Sequence, residues 1–250
     1  MFSVLVTGAS RGIGLEYVRQ LLALSSPPQH VFACCRSPEN AEDLQGIAME
    51  NPSVKVVQMD VTKEDDFPAA VREVDGVVGE RGLTVLINNA AIFSGHTCET
   101  ATCEDSVHLY RVNVIGPMLV TQAFLPALKR AAALTSSDDT TMSMQTAAVV
   151  NMSSVMGSLA STKNGKSASY RMTKVAVNML TVCMAHDFAS YGILAVAMHP
   201  GLVNTDMGKR HAGKLSPKES VCGILDTLLK LRGRQASGKA YQWNGQILAW

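Results

Sequence analysis

The chain has 250 residues, of which 47% are hydrophobic and 17% charged, and its formal net charge is +1. This length and apolar content suffice for one sizeable core, so we expect a single domain over residues 1–250. A nearly neutral chain without a basic block argues against a nucleic-acid partner, and we find no apolar stretch of the roughly 20 residues that a membrane span needs.

Short apolar segments at residues 2–7, 29–35, 54–58, 83–88, 146–152 and 193–198 are predicted to be strands. Helices are predicted between them at 13–24, 39–50, 63–79, 103–131 and 168–190. A helix at 216–231, with Ser216 as its N-cap and Pro217 in its first turn, precedes a last strand at 238–243. The polar stretch 135–146 is expected to be an exposed loop.

Strands that are apolar on both faces and alternate with helices are typical of one α/β architecture. We therefore predict a Rossmann-type doubly wound parallel sheet of about seven strands, with helices on both faces and right-handed crossovers. The first strand is predicted to begin at Phe2, which leaves no room for a cleaved signal peptide.

The six cysteines are scattered and lack the paired spacing of a zinc site, so we predict no metal site. A chain of this size with scattered cysteines is typical of a reducing compartment, and we predict a cytoplasmic protein. Most of these side chains are expected to be small buried apolar groups. A reactive thiol at Cys34 or Cys35 is the alternative.

A glycine-rich run, Thr7-Gly8-Ala9-Ser10-Arg11-Gly12-Ile13-Gly14, joins the first strand to the first helix. Gly8 permits a tight turn, Gly12 lets backbone N–H groups approach a pyrophosphate, and Gly14 lets the helix pack close to the strand. The N-terminus of the helix then faces the phosphates with its partial positive charge. This context predicts a dinucleotide site.

The end of the second strand indicates which dinucleotide is bound. An NAD site usually places a carboxylate there, bonded to the ribose 2′-OH. This strand instead ends in Cys35-Arg36, and Arg11 lies inside the glycine loop. Because two guanidinium groups can clamp a 2′-phosphate with bidentate hydrogen bonds, the sequence favours NADP(H) as the cofactor. The alternative is that both arginines are solvated surface residues.

Tyr170 and Lys174 are four residues apart on a predicted helix, so their side chains lie on one face about one turn apart. A free tyrosine has a pKa near ~10. A nearby ammonium group, together with the positive charge of an oxidised nicotinamide, is expected to lower the pKa of Tyr170. Tyr170 can then donate a proton to a carbonyl oxygen as hydride reaches the carbon, or accept one in the reverse reaction.

The glycine loop and the segment Tyr170-Arg171-Met172-Thr173-Lys174 together resemble the short-chain dehydrogenase/reductase family, and the resemblance covers essentially all 250 residues. A looser resemblance to sniffer-like and C-factor-like carbonyl reductases rests on residues 131–146, 153–158, 169–174 and 244–250. It implies an NADPH-dependent reductase of a ketone, aldehyde or quinone.

The family resemblance also implies a catalytic set of Asn113, Ser154, Tyr170 and Lys174, with Ser153 as the alternative to Ser154. In this set Ser154 would hold the substrate oxygen for Tyr170. Asn113 would hold a helix kink and a water that links Lys174 to solvent. An asparagine inside an apolar helix competes for backbone hydrogen bonds, which favours such a special role.

Further cofactor contacts follow from the same resemblance. Asp60 would bind the adenine amino group or cap the next helix. Ala91 departs from the family pattern Asn-Asn-Ala-Gly, and its methyl group is tolerated if the local φ is negative. The segment from Pro200 to Thr205 would hold the nicotinamide end. The predicted cofactor-binding set is Gly8, Ser10, Arg11, Gly12, Ile13, Gly14, Arg36, Asp60, Val61, Asn89, Ala90, Ala91, Tyr170, Lys174, Pro200, Gly201, Val203 and Thr205.

The C-terminal part is expected to build the substrate site, with a short insertion at 163–165 and a basic substrate loop between Met207 and Ser216. That loop either favours acidic or polar substrates or is a solvated lid. Many relatives pair through the two long helices that hold Tyr170 and Asn113, so we expect a homodimer, with a tetramer as the alternative. Two other functions stay open: a dehydrogenase of a specific secondary alcohol, such as a steroid or acyl intermediate, and a non-catalytic NADP(H)-sensing regulator.

Overall fold

A computed structural model describes residues 1–135, 141–207 and 215–250. Its strands form one eight-stranded sheet in the order β3-β2-β1-β4-β5-β6-β7-β8. The first seven strands run parallel, and β8 pairs antiparallel with β7. The strands are β1 Ser3–Thr7, β2 His30–Cys35, β3 Val54–Gln58, β4 Val85–Asn88, β5 Ala148–Met152, β6 Leu194–His199, β7 Ala240–Gln242 and β8 Ile247–Leu248.

Helices connect the strands and cover both faces of the sheet. Within the described ranges they are α1 Gly12–Leu22, α2 Glu42–Glu50, α3 Phe67–Val78, α4 Cys103–Tyr110, α5 Gly116–Ala133, α6 Ala168–Asp187 and α7 Pro217–Lys230. Ser216 caps α7 in a capping box with Glu219, and Pro217 occupies the first turn, as predicted. Several short 3₁₀ turns lie between these elements.

Alternate side chains of each central strand enter two separate apolar cores. In β1, Val4 and Val6 join one core with Leu21 of α1 and Leu228 of α7. Leu5 points the other way into a core built on α3, α5 and α6. Burial on both faces explains why these strands lack polar alternation, and it confirms the predicted doubly wound sheet.

The long predicted helix at 103–131 has a different form in the structure. It consists of α4 and α5 joined by a π-helical segment, Arg111–Ile115. The stretch Cys103–Ala133 is long and apolar enough to pass a test for a membrane-spanning helix, although half of its most apolar window is buried inside the protein. Core helices commonly pass this test, and Phe124 and Leu128 of α5 lie fully buried in the second core.

Some sequence expectations differ from the structure, and others fall on residues outside the described ranges. The sheet has eight strands where about seven were predicted. The additional strand, β8, is only two residues long, too short for a residue pattern to predict. Residues 141–146 of the predicted exposed loop are partly internal, because Met142 and Met144 are buried in the first core. Positions 136–140 of that loop, and positions 208–214 of the predicted substrate loop, lie outside the described residues.

The strand order creates the place for a site. The chain moves outward from β1 to β2 and β3, then returns to the other side of β1 to form β4. Two loops therefore diverge at the carboxyl ends of β1 and β4, which leaves a crevice between them. In open α/β sheets, ligands bind at such a switch point.

Candidate active site

A cleft of about 270 Å³ opens at the carboxyl ends of β1 and β4. It brings together sixteen of the eighteen predicted cofactor-binding residues, including Tyr170 and Lys174. Of the described residues in that set, Gly201 and Val203 do not line the cleft, and Val203 is only 4% exposed. The predicted cofactor-binding set did not include these lining residues: Cys35, Met59, Thr62, Ile92, His108, Val112, Met152, Ser153, Asp206 and Met207.

The glycine loop has the backbone geometry that its sequence predicts. Gly8 and Gly12 have φ of 65° and 58°, in the left-handed region where a side chain is strained. A Cβ on Gly14 would overlap the carbonyl oxygen of Gly8 and lie 2.6 Å from Nδ2 of Asn89. The role of Gly14 in close packing is therefore supported by geometry, while Gly12 faces more open space, 3.6 Å from Thr205.

A clamp that the sequence did not predict fixes the loop to β4. The side chain of Asn89 donates to the carbonyls of Thr7 and Gly8 at 2.9 and 3.2 Å. The Thr7 hydroxyl in turn accepts from the backbone N–H groups of Asn89 and Ala90, both at 3.0 Å. These bonds join residues more than 80 positions apart, so no local motif reveals them. They hold the loop after β1 and the loop after β4, which form two walls of the cleft, in fixed positions relative to each other.

Charged groups gather at the end of β2. Arg36 lines the cleft, and Asp60 lies within range of its charge. Burial raises the pKa of Asp60, but hydrogen bonds from Thr62 and the charges of Arg36 and Lys63 outweigh it and hold the pKa below its usual value. Asp60 accepts from the N–H and hydroxyl of Thr62 at 2.9 and 2.8 Å, so it stabilises the loop after β3, and the alternative that it caps the next helix is wrong, since Asp66 is the N-cap of α3.

Arg11 lies on the outer wall of the cleft. Its side chain is 77% exposed, and its guanidinium is 3.8 Å from the carboxylate of Asp206, which also lines the cleft. No side chain of the described residues caps the N-terminus of α1, where Arg11 is the N-cap. The first N–H groups of α1 are thus available to an anionic ligand.

Tyr170 and Lys174 line the cleft, whereas Ser154 lies beside Tyr170 and is not itself a lining residue. Ser154 is the N-cap of the 3₁₀ turn that follows β5 and forms a side-chain hydrogen bond with Tyr170. Lys174 lies one turn along α6, with Nζ 5.5 Å from the centroid of the Tyr170 ring, and donates to the carbonyl of Met152 at 2.8 Å. Ser153 also lines the cleft, but its hydroxyl donates to Asn178 at 2.6 Å. The geometry therefore favours Ser154 over Ser153 as the partner of Tyr170.

Burial governs the ionisation of this group. It raises the pKa of Tyr170 to about 12, although the hydrogen bond with Ser154 lowers it. Burial also lowers the pKa of Lys174 to about 8. The sequence-based expectation of a lowered tyrosine pKa is not met by the protein alone, because removal of the phenol from water outweighs its polar neighbours. At neutral pH Tyr170 is therefore a neutral phenol, the form that can donate a proton.

Asn113 lies in the π-helical segment and is 1% exposed. Its side-chain amide accepts from the N–H of Ile92 and donates to the carbonyl of Ile92, both at 2.9 Å, and it also donates to Thr173 at 3.2 Å. π-Helical segments are common at functional sites. The Asn113 side chain thus ties the loop after β4 to α6, and its predicted roles in a helix kink and a bound water stay predictions.

The remaining predicted residues have defined places. Ala91 lines the cleft, and the only described non-glycine residue with positive φ is Ser167, so the Ala91 methyl group causes no backbone strain. Gly201 has φ of 83° and packs where a Cβ would meet Leu215 and Trp243. Its role is to turn the chain behind the cleft. Pro200 and Thr205 line the cleft itself.

A loop beside the site contains the predicted insertion at 163–165. The guanidinium of Arg171 donates to the carbonyl of Lys166 at 2.8 Å, to Thr162 at 3.2 Å and to Asn164 at 3.4 Å. Because Arg171 follows Tyr170 directly on α6, these hydrogen bonds fix the loop relative to α6.

All six cysteines are free, but the expectation that most are buried is wrong: Cys34 and Cys35 are buried, whereas the other four are exposed or half-buried. Burial raises the pKa of both Cys34 and Cys35, which disfavours the thiolate that a reactive cysteine needs. Burial lowers the pKa of His199 to about 4, so this histidine is neutral at physiological pH. No group of His, Cys, Asp and Glu among the described residues could hold a metal ion. The cytoplasmic location inferred from the cysteines stays a prediction.

The comparisons with known proteins agree with this geometry. An NADPH-bound carbonyl reductase from chicken fatty liver is 42% identical, with a TM-score of 0.93 over 99% of this chain and 98% of that one. The carbonyl reductase Sniffer of D. melanogaster is 34% identical, with a TM-score of 0.96 over the full length of both chains.

Among curated relatives, human 17-beta-hydroxysteroid dehydrogenase type 6 is 32% identical over 82% of this chain and 57% of the human protein. C-signal of Myxococcus xanthus is 34% identical over 66% of this chain and 92% of that protein. The short chain dehydrogenase family profile matches residues 3–215. The chain therefore belongs to the short-chain dehydrogenase/reductase family.

Proposed function

We propose that the protein is an NADPH-dependent carbonyl reductase in which Tyr170 donates a proton to the oxygen of a ketone, aldehyde or quinone. One observation carries the proposal: the neutral phenol of Tyr170 lies at the wall of the glycine-loop cleft, hydrogen-bonded to Ser154 and within 5.5 Å of Lys174. The likeness to an NADPH-bound carbonyl reductase supports the same chemistry.

The residues of the cleft fit NADPH. Gly8 and Gly12 keep positive φ values and leave the loop without side chains where a pyrophosphate would approach. Arg36 and Arg11 would hold the 2′-phosphate, and Asp60 and Val61 would border the adenine. Pro200 and Thr205 would border the nicotinamide, which supplies a hydride when the cofactor is bound.

Each catalytic side chain has a distinct task in this proposal. Ser154 donates a hydrogen bond to the substrate oxygen and holds it beside Tyr170. Tyr170 transfers its phenolic proton to that oxygen as negative charge develops there. Lys174 places a positive charge near the resulting phenolate, and Asn113 fixes α6 against the loop after β4.

The protonation state of Tyr170 favours reduction. A pKa of about 12 keeps the phenol protonated at neutral pH, which is the form that reduction consumes. Oxidation of an alcohol would instead require the phenolate. A secondary-alcohol dehydrogenase is the second candidate, since the human steroid dehydrogenase is 32% identical. An NADP(H)-sensing regulator would need no hydrogen-bonded Tyr170–Ser154 pair.

The first experiment measures NADPH and NADH consumption with quinones, aromatic ketones, aldehydes and ketosteroids, and identifies the alcohol products by mass spectrometry. Ser154→Ala should lower kcat by about 100-fold, since it removes a donor to the developing oxyanion. Ser153→Ala is the matched control, because that hydroxyl is bonded to Asn178, and it should retain most activity. Tight NADPH binding without turnover on any compound would favour the regulator instead.

A further inference from the structure

One aromatic residue beside the proton donor belongs to no motif. The ring of Phe93 packs edge-to-face on the ring of Tyr170, with centroids 4.9 Å apart and an interplanar angle of 67°. Such pairs are among the preferred aromatic geometries. Phe93 is half-buried, whereas Tyr170 is only 8% exposed. Phe93 therefore contributes to the burial of the phenol ring.

The loop that carries Phe93 is anchored on both sides of it. Ile92, the preceding residue, is bonded through both its N–H and its carbonyl to the side chain of Asn113. His96, three residues later, accepts a hydrogen bond through its carbonyl from the N–H of Ala168 at 2.9 Å. Ala168 is the first residue of α6, two positions before Tyr170. These bonds fix Phe93 relative to the helix that carries the proton donor.

Polar residues, by contrast, lie near Tyr170 on other parts of the chain. Lys174 approaches from its own helix, Ser154 approaches from the end of β5, and His108 of α4 lines the same cleft. None of these groups can exclude water in the way that an apolar ring does. Phe93 supplies an apolar contact made directly on the ring of Tyr170.

We propose that Phe93 is a positioning residue for the proton donor: its ring orients the phenol of Tyr170 and keeps water away from it. The inference rests on the proposed role of Tyr170. Misplacement of a reacting group by about 1 Å can lower a rate by about 100-fold, so the orientation of this phenol has a kinetic consequence. Burial of the phenol is also the main reason that the pKa of Tyr170 is raised to about 12.

The test compares Phe93→Ala with Phe93→Leu and with a matched control, Phe188→Ala. Phe188 is a partly buried phenylalanine just beyond the other end of α6. Phe93→Ala should lower kcat by about 10- to 100-fold and leave the NADPH Kd within about 2-fold, because the ring acts only on the proton donor. Phe93→Leu should recover part of kcat, and Phe188→Ala should leave kcat unchanged.

A spectroscopic titration separates this role from a merely structural one. The tyrosinate absorbance near ~295 nm is followed up to about pH 10.5 with and without the Tyr170→Phe change, so that the difference isolates Tyr170. The wild-type difference should show no ionisation in this range, whereas the Phe93→Ala background should show one additional tyrosine. An unchanged titration and unchanged kcat in Phe93→Ala would overturn the inference. If Tyr170→Phe itself kept full turnover, the proposed function would fail instead.

Discussion

Removal of the Arg36 guanidinium should convert an NADPH-selective protein into one that binds NADPH and NADH alike. Arg36 lines the cleft at the end of β2, and its charge lowers the pKa of Asp60 in the same wall. A hydrogen bond to a charged group contributes about 1.5–3 kcal/mol. Loss of that bond to a 2′-phosphate should therefore weaken NADPH binding by about 10- to 150-fold in Arg36→Ala.

Arg11 should contribute less to the same discrimination. Its exposed guanidinium already lies 3.8 Å from Asp206, and surface ion pairs are worth at most about 1 kcal/mol. Arg11 would give up that pair to reach a phosphate, which reduces its net gain. We expect Arg11→Ala to weaken NADPH binding by roughly 3- to 10-fold, since about 1.4 kcal/mol corresponds to a factor of ten.

The assay is a fluorescence titration of NADPH and NADH at one fixed salt concentration. NADH lacks the 2′-phosphate, so its Kd should stay within about 2-fold in every variant. Arg19→Ala is the control. Arg19 is a half-exposed arginine of α1 that pairs with Glu16 and is not among the residues that line the cleft, so its removal should change neither Kd. Equal losses of NADPH and NADH affinity in Arg36→Ala, or equal affinities in the wild type, would refute the two-arginine argument.

Three further outcomes follow from the geometry. Gly14→Ala should abolish NADPH binding and lower the thermal midpoint, because its Cβ would overlap the carbonyl of Gly8, whereas Gly165→Ala, with nothing within 4 Å, should do neither. Urea titrations give the unfolding free energy of the wild type and of Lys174→Met. The wild-type value minus the Lys174→Met value should rise by about 2 kcal/mol between pH 7 and 9.5. The difference rises because Lys174 loses its proton near pH 8 in the folded protein but only near pH 10.5 in the unfolded chain. A difference that does not change with pH would contradict a lowered pKa of Lys174. We also propose a homodimer through α5 and α6: light scattering should give twice the 26.7 kDa of one chain, and Met179→Glu, at a residue 62% exposed on α6, should dissociate it.

Local patterns predicted the parts of the site that local geometry determines. The glycine spacing predicts a turn and a helix start, and Gly8 and Gly12 do adopt positive φ. The spacing of Tyr170 and Lys174 predicts a shared helix face, and both side chains line one cleft. These features depend on residues within one turn of the chain, so a single sequence contains them.

Features that depend on distant residues could not be predicted in the same way. The clamp between Thr7 and Asn89 forms only when β1 and β4 become neighbours, and Phe93 meets Tyr170 only after the loop is anchored. The polar stretch 135–146 also misled, because its two internal methionines, Met142 and Met144, are buried by tertiary packing that composition does not show. The pKa of Tyr170 is raised by burial, and the spacing of Tyr170 and Lys174 in the sequence does not reveal how buried the phenol is.

The most direct test of the proposed function is the turnover of Tyr170→Phe with a carbonyl substrate that the wild type reduces, measured together with its NADPH Kd. The variant keeps the ring that packs against Phe93 but has no proton to donate. We predict that kcat falls by about 100-fold or more while the NADPH Kd stays within about 2-fold, as expected for loss of a general acid. Turnover equal to the wild type would contradict the assignment of Tyr170 as the proton donor.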